Sequence, residues 1–371
     1  MKPPISILNT LQSHGYAAYF VGGCVRDTLL GRPVHDWDIT TSALPEQTMA
    51  VFPKTVPTGI QHGTVTVLED GEAYEVTTFR CDGEYRDSRH PATVRFVSDL
   101  REDLSRRDFT VNAMAMNTAG EITDPFGGRT DLQNRIIRCV GDPTKRFCED
   151  ALRMLRALRF SAQLGFDIEK QTYLAIRSCA SLCADLSAER VRDEVEKTLL
   201  SPSPEVAADM VSLGLLSGFG LDGHGDLTMI SKLPTERTVR WAAFFAAYPA
   251  CTWQTFKLDR ATGETAQQSA MLCGVDRTRL QWKRFISVHG EAVARCTAAL
   301  DGQAELLDEI LQSGECVSRK DLAVSGKDFP QMQGKMLGSL LQKLLDTVLE
   351  NPQKNTQEKL LAEAEKLFEK I

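Results

Sequence analysis

No run of this sequence approaches the ~20 consecutive apolar residues that a membrane-spanning helix requires, so no membrane span is expected. The opening MKPPISILNTLQSHGYAAYF has neither a long apolar run nor a small-residue cleavage site, so a secretory signal is not expected either. There is no P-loop, no G-x-S-x-G elbow, and no H-E-x-x-H spacing among the 6 histidines, which removes the commonest ATPase, serine-hydrolase and metalloprotease readings. The 10 cysteines are scattered, and the nearest pair, Cys179 and Cys183, has no matching second pair. A zinc site is therefore not expected, and without an export signal the thiols read as reduced and the protein as cytoplasmic. Internal repeats and low-complexity runs are also missing.

What is present is an ordinary globular composition: 371 residues, 42% hydrophobic, 25% charged. That length suggests two or three domains with sizeable cores. The 43 Lys and Arg against 50 Asp and Glu give a net charge of -7, not an obvious nucleic-acid binder. A total can conceal a local field, however, and Arg135–Arg159 holds seven Lys/Arg against three Asp/Glu.

Up to about residue 140 the chain mixes strands and helices. DWDIT, GTVTVL and AYEVTTFR are rich in β-branched residues between turn signals and read as strands. VRDTLLG reads as a short helix stopped by Gly31. Beyond about 145 apolar residues recur at helical spacing, as in RFCEDALRMLRALRFSAQLGF, SAERVRDEVEKTLL, RTVRWAAFFAAY and LGSLLQKLLDTVLE. Asp, Pro and Gly cluster in DPFGGRTDLQNRIIRCVGDPTK near the change, and LDGHGDLT at 221–228 is a second soft spot. The fold class is α+β: a mixed-sheet head of about 140 residues, then an all-α remainder.

Asp36-Trp37-Asp38 is the sharpest chemical feature. On a strand, residues i and i+2 share a face, so both carboxylates point the same way. Two carboxylates that close repel unless a proton or cation intervenes, and oxygen ligands of this kind suit Mg²⁺. A lone D-x-D is more often a pair of exposed strand-end aspartates. Here Gly22-Gly23 and Arg26 lie just upstream, and paired glycines let backbone approach a phosphate that an arginine fork can hold. Glu75, on a predicted strand, is a third carboxylate or an outward surface residue. Arg106-Arg107-Asp108-Phe109 opens RRDFTVNAMAMN, which reads as a helix start suited to phosphate and ribose contacts or to a plain surface ion pair. Asp150 and Arg153 read as i, i+3 neighbours on one helical face. They are either a structural salt bridge or an acceptor and a donor that match a base edge, with Arg156 and Arg159 continuing at steps of three. Ser187-Ala188-Glu189-Arg190 through Glu194 reads as a helix start that ties helices together.

Taken in order, GGCVRDTLLGRPVHDWDITTSA, RRDFTVNAMAMN, the segment from DPFGGRTDL to LRFSAQLGF, and SAERVRDE resemble the motifs of the class II CCA-adding enzymes, tRNA nucleotidyltransferases of the polymerase-beta-like superfamily. The strong match covers about residues 17–195, and KDLAVSGKDF with the following helix is similar to the family's C-terminal tail. The resemblance implies a seahorse-like molecule: catalytic head 1–140, helical neck 141–220 with the nucleotide-selecting helix, helical body 221–310, and a tRNA-binding helical tail 311–371. It implies that Asp36 and Asp38 bind catalytic Mg²⁺, with Glu75 at the place of the third carboxylate. Gly22, Gly23, Arg26, Arg107, Arg156 and Arg159 would bind CTP or ATP, Asp108 and Asn112 would reach ribose or phosphate, and Asp150 with Arg153 would select the base without a nucleic-acid template. The substrate would be the 3′ end of tRNA, extended by two-metal transfer with release of pyrophosphate. RNA would be held by shape and phosphate contacts along segregated basic segments, Arg135–Arg159 and RTRLQWKRF.

Ala151 stands where the fourth motif often has proline, with little harm expected because alanine is the better helix former. No phosphohydrolase domain is appended, so phosphatase activity is not expected. DGEYRDSRHPATV, 82–94, resembles the family's flexible loop, which argues against CC-only addition but leaves full CCA and A-only addition both open. Poly(A) polymerase is an alternative that the tail echo disfavours. A non-catalytic RNA-binding paralogue ranks low because both aspartates are present. An antibiotic-modifying type of nucleotidyltransferase would not need the Asp150/Arg153 pair. The oligomeric state, monomer or homodimer, stays open.

Overall fold

In the computed structural model residues 3–83 and 94–368 are described, and most of the 82–94 loop lies outside them. The chain divides into two compact units, Met1–His224 and Gly225–Ile371. The first unit holds a seven-stranded sheet in the order 55–59, 64–69, 72–78, 39–41, 18–21, 115–116, 122–123. Ile39–Thr41 runs parallel to Glu72–Thr78, with Ile39 opposite Val76 and Thr41 opposite Thr78, and antiparallel to Ala18–Val21. Every other pairing in the sheet is antiparallel. The alternation of Glu72–Thr78 shows why: Tyr74, Val76 and Thr78 are buried while Glu75 is exposed, the period-2 pattern of a half-buried strand.

From Pro143 onward the first unit is helical apart from the short strand Asp167–Ile168, which pairs with Ile136–Ile137: Pro143–Glu149, Leu152–Leu164, Lys170–Cys179, Ala188–Leu199 and Val206–Ser212. Leu152–Leu164 buries Leu152, Leu155, Leu158 and Ala162, and each fully buried leucine contributes about 1.5–3 kcal/mol. It stops at Gly165, in the left-handed conformation that ends many helices. The second unit is helical, built from Arg237–Ala247, Arg260–Leu272, Arg279–His289, Glu291–Leu300, Ala304–Gln312, Gly334–Glu350 and Gln357–Phe368. Trp241, Phe244, Phe245 and Phe256 pack there with ring centroids 5.1–6.3 Å apart, and no helix among the described residues is long and apolar enough to cross a membrane.

Three expectations about local structure are corrected. Asp36–Asp38 precede the strand, which begins at Ile39. Their burial still alternates, because Trp37 is buried edge-on to Phe20 at 4.7 Å and Asp38 O accepts from Val21 N at 3.0 Å. RRDFTVNAMAMN is not a helix start: Arg106 closes the helix Leu100–Ser105, Thr110–Asn112 is one 3₁₀ turn, and Ala115–Met116 joins the sheet beside Phe20 and Val21. The expected helix through Asp150 is broken there. Asp150 is extended, with φ -146° and ψ 104°, and the next helix starts at Leu152.

Candidate active site

A polar cleft of about 640 Å³ opens in the first unit. Its lining brings together Gly22, Gly23, Arg26, Asp36, Asp38, Arg107, Asp108, Asn112, Asp150, Arg153, Arg156 and Arg159, residues from segments more than a hundred positions apart. Glu75 is the exception. It is not among the lining residues, although it stands within electrostatic reach of Asp38.

Asp36 and Asp38 are exposed on either side of buried Trp37. Protein ringing the Asp38 carboxyl pushes it up from its ordinary value, Arg107 opposes the rise, and Glu75 and Asp36 add to it. Crowded acidic oxygens open to a polar cleft fit a hard divalent cation. Such a cation commonly takes one or two protein carboxylates and fills its other positions with water and substrate phosphates. In keeping with that sparse donor set, no group of three or more His, Cys, Asp or Glu forms a closed metal cage among the described residues.

Gly22 connects this end to the arginines. Its φ of 75° and ψ of -134° lie where essentially only glycine is at ease, and a Cβ there would stand 3.2 Å from Arg107 Nη1 and 3.7 Å from Asp38 Oδ2. Arg26 lies nearby, buried, forked onto Asp27 at 2.9 and 3.0 Å and donating to Asn112 Oδ1 at 2.7 Å.

Each arginine of the wall is set by an acid. Asp103, fully buried, receives Arg106 at 2.9 Å and Arg107 at 3.2 Å. Burial works against its charge, but the two guanidiniums hold its carboxyl below the usual range. Asp108 accepts from Arg156 Nε at 2.8 Å and Nη2 at 2.6 Å, and from Asn112 Nδ2 at 3.2 Å. Burial again opposes ionisation, yet Arg156 and these hydrogen bonds hold Asp108 at about 2. Arg159 is paired to Glu194 and donates to Gln163 at 2.8 Å. Phe160 lies beneath three guanidiniums, 5.2 Å from Arg26, 5.3 Å from Arg156 and 3.9 Å from Arg159, so an aromatic face adds to the acids in fixing them.

Asp150 and Arg153 both line the cleft, and Arg153 N donates to Asp150 O at 3.1 Å. The Arg153 guanidinium donates to Glu149 Oε2 at 2.9 Å, Arg146 O at 2.8 Å and Arg106 O at 3.2 Å. Asp150 pairs with Arg190 at 3.0 Å. Sequence reasoning therefore missed Arg190 as a lining residue, along with Lys197 and Phe160, whereas Arg106 lines the cleft beside Arg107. A signal existed, since Arg190, Glu194 and Lys197 recur at helical spacing on Ala188–Leu199 and share one face. The RTRLQWKRF charges are drawn into ion pairs: Arg277 with Asp301 at 2.7 Å, Arg279 and Lys283 with Glu315 at 2.6 and 2.8 Å, Arg284 with Glu350 at 2.6 Å.

Residues 18–138 match the family described as "Poly A polymerase head domain", and residues 165–219 match "Probable RNA and SrmB- binding site of polymerase A". A CCA-adding enzyme of Geobacillus sp. (strain WCH70) is 40% identical over 365 residues, covering 91% of this chain and 90% of its own length. One from Geobacillus stearothermophilus is 47% identical over 311 residues, with 81% and 72% covered. A crystal structure of the Bacillus stearothermophilus CCA-adding enzyme in complex with CTP superposes with a TM-score of 0.86 at 38% identity, covering 100% of this chain and 99% of that one. With a cleft of this composition and relatives of this extent, the chain belongs to the family of CCA-adding enzymes.

Proposed function

We propose that the cleft adds and repairs the 3′-terminal CCA of tRNA from CTP and ATP, without a nucleic-acid template, releasing pyrophosphate. The observation that carries this reading is that one cleft holds the Asp36/Asp38 pair, an arginine wall and Asp150 with Arg153. Asp36 and Asp38 would hold Mg²⁺, with Glu75 adding negative potential beside them. When bound, the ion supplies charge neutralisation at the triphosphate and a more acidic attacking hydroxyl.

The remaining work falls to the chain's own groups. Gly22 and Gly23 let the triphosphate approach the backbone, and Arg26, Arg107, Arg156 and Arg159 hold it. Because their acids and Phe160 fix these guanidiniums beforehand, little reorganisation is left for the transition state. Asp108 and Asn112 are placed for ribose or phosphate. Cytosine and adenine both present an amino donor beside a ring-nitrogen acceptor, whereas uracil and guanine present a carbonyl beside an N–H. A carboxylate acceptor at Asp150 and a guanidinium donor at Arg153 therefore match the first pair and repel the second. We assign head, neck, body and tail to 1–140, 141–220, 221–310 and 311–371, the tail contacting tRNA, and place the protein in the cytoplasm.

The test uses three tRNA transcripts, ending before CCA, after C and after CC, incubated with protein, Mg²⁺ and labelled CTP or ATP. Completion of all three to CCA is expected. Extension of only the CC-ended transcript by one A, or a ladder of adenosines, would overturn the reading in favour of an A-adding enzyme or a poly(A) polymerase, and no incorporation would overturn catalysis itself.

A further inference from the structure

The side chain of Arg190 is used differently from those of Arg159 and Arg26 in the same cleft. Arg159 divides its donors between Glu194 and Gln163, and Arg26 between Asp27 and Asn112. Arg190 has one side-chain partner among the described residues: its Nη2 straddles the Asp150 carboxylate, 3.3 Å from Oδ1 and 3.0 Å from Oδ2. Its Nη1 is buried and has no hydrogen-bond partner. Unpaired buried donors are rare enough in folded proteins that each calls for an explanation. An arginine serving only to tie helices would be expected to saturate its fork.

The backbone of Asp150 is tied to both flanking helices, its N–H donating to Arg146 O at 3.2 Å and its carbonyl accepting from Arg153 N at 3.1 Å. Its side chain also accepts from Leu152 N, at 3.1 Å to Oδ1. Arg190 donates to the second oxygen, Oδ2, and so fixes the carboxylate's rotation. An acceptor that reads a base must be ionised and must hold its lone pairs in one direction, because a small misplacement is enough to lose discrimination.

We infer that Arg190 is a specificity-determining positioning residue: it holds the Asp150 carboxylate oriented in the cleft, and so sets the choice of cytosine and adenine over uracil and guanine. Arg190 acts through Asp150, not on the reacting atoms. The inference rests on the base-selecting role of Asp150 proposed above.

The experiment compares wild type, Arg190→Gln, Arg190→Lys, Asp150→Asn and the double variant Asp150→Asn/Arg190→Gln, all as full-length protein. It reads KM and kcat for CTP and ATP on the three tRNAs, misincorporation of UTP and GTP, and thermal melting. Arg190→Gln is expected to raise KM for CTP and ATP and to narrow the preference over UTP and GTP by on the order of 10–100-fold, with a smaller change in kcat. Arg190→Lys should recover part of the loss, since it restores the charge without the fork. The double variant should be no less selective than Asp150→Asn alone, as expected when one residue acts through the other. If Asp150→Asn relaxes selectivity while folded Arg190→Gln and Arg190→Lys keep it, the inference fails and the Asp150 reading stands. If Asp150→Asn keeps full selectivity, the Asp150 reading fails and takes the inference with it. Should Arg190→Gln not fold, Arg190→Lys decides: unchanged KM and unchanged selectivity overturn the proposal.

Discussion

Two basic segments looked alike in the sequence and are used in opposite ways. In Arg135–Arg159, the arginines at 153, 156 and 159 line a polar cleft, each backed by an acid: Glu149 of the same segment, and Asp108 and Glu194 from elsewhere. In RTRLQWKRF, Arg277 lies over Trp282 and Phe285 at 5.0 and 4.7 Å and is capped by Asp301, its side chain 10% exposed and that of Asp301 4%. Lys283 is buried against Glu315. Both segments are net basic; what differs is how the paired acid sits against the cation. An acid behind the arginine leaves its remaining surface to a ligand, whereas an acid that closes over it consumes the charge in joining helices. That difference explains how a chain of net charge -7 can present a concentrated field at one site.

The sharpest way to break the comparison is to remove chemistry from one region and structure from the other. Asp38→Asn should cut CCA addition by roughly 10²–10³-fold or more, the scale of losing one preorganised electrostatic group, with melting close to wild type because the side chain is exposed. Activity near wild type in single-turnover assays would remove Asp38 from the reaction. In the second unit, Arg277→Ala should destabilise by about 3–5 kcal/mol, since it strands a buried carboxylate, while the folded fraction still adds CCA. If Arg277→Ala instead raised KM for tRNA with unchanged urea midpoint, RTRLQWKRF would be an RNA surface after all. Arg284–Glu350, with side chains 48% and 60% exposed, sharpens the point: Arg284→Ala should cost at most about 1 kcal/mol.

Acid titration touches both regions in one window. Asp108 is held at about 2 against an ordinary 3.8, and Glu315, through Lys283 and Arg279, at about 2 against 4.5. Both native values are depressed, so the stability they contribute is present above the unfolded values and is lost as pH falls from about 4.5 toward 2. For Asp108, whose side chain is 11% exposed, the loss should be about 2 kcal/mol. Urea midpoints measured between pH 5 and 2.5 should therefore fall less steeply in Asp108→Asn than in wild type, and an identical slope would show that Asp108 is not ion-paired in solution.

The class of fold, the change to helices near residue 145 and most lining residues were legible because they are carried by local signals. β-branched runs, Gly22-Gly23, D-x-D and arginines at helical spacing are each contained within a short stretch of sequence. What was not legible depends on distant partners. The sequence of EDALRMLR suggests one continuous helix, since alanine at 151 favours it. Only the long-range bonds from Arg190 to Asp150 and from Arg153 to Arg106 O and Arg146 O show why the backbone turns there. Arg190 read as a structural arginine because its partner lies 40 positions away. RRDFTVNA lost its helical reading to the sheet, because Ala115 and Met116 find Val21 and Phe20 as ladder partners.

A matched pair of glycines compares the two units at the level of the backbone. Gly22 in the first unit and Gly290 in the second both hold backbone that strongly favours glycine, at φ 75°, ψ -134° and φ 82°, ψ 166°. Alanine at either position should cost about 1–3 kcal/mol in strain. The surroundings differ: a Cβ at Gly290 meets nothing within 4 Å, whereas at Gly22 it presses on Arg107 and Asp38. Gly290→Ala should thus lower the melting temperature and leave kcat/KM of the folded protein unchanged. Gly22→Ala should lower melting by a similar amount and also reduce kcat/KM, because the added Cβ displaces Arg107 Nη1, the group we propose holds the triphosphate. Equal kinetic losses in the two variants would mean that the close approach at Gly22 serves the turn alone, and the cleft would no longer differ from the helical unit at this position.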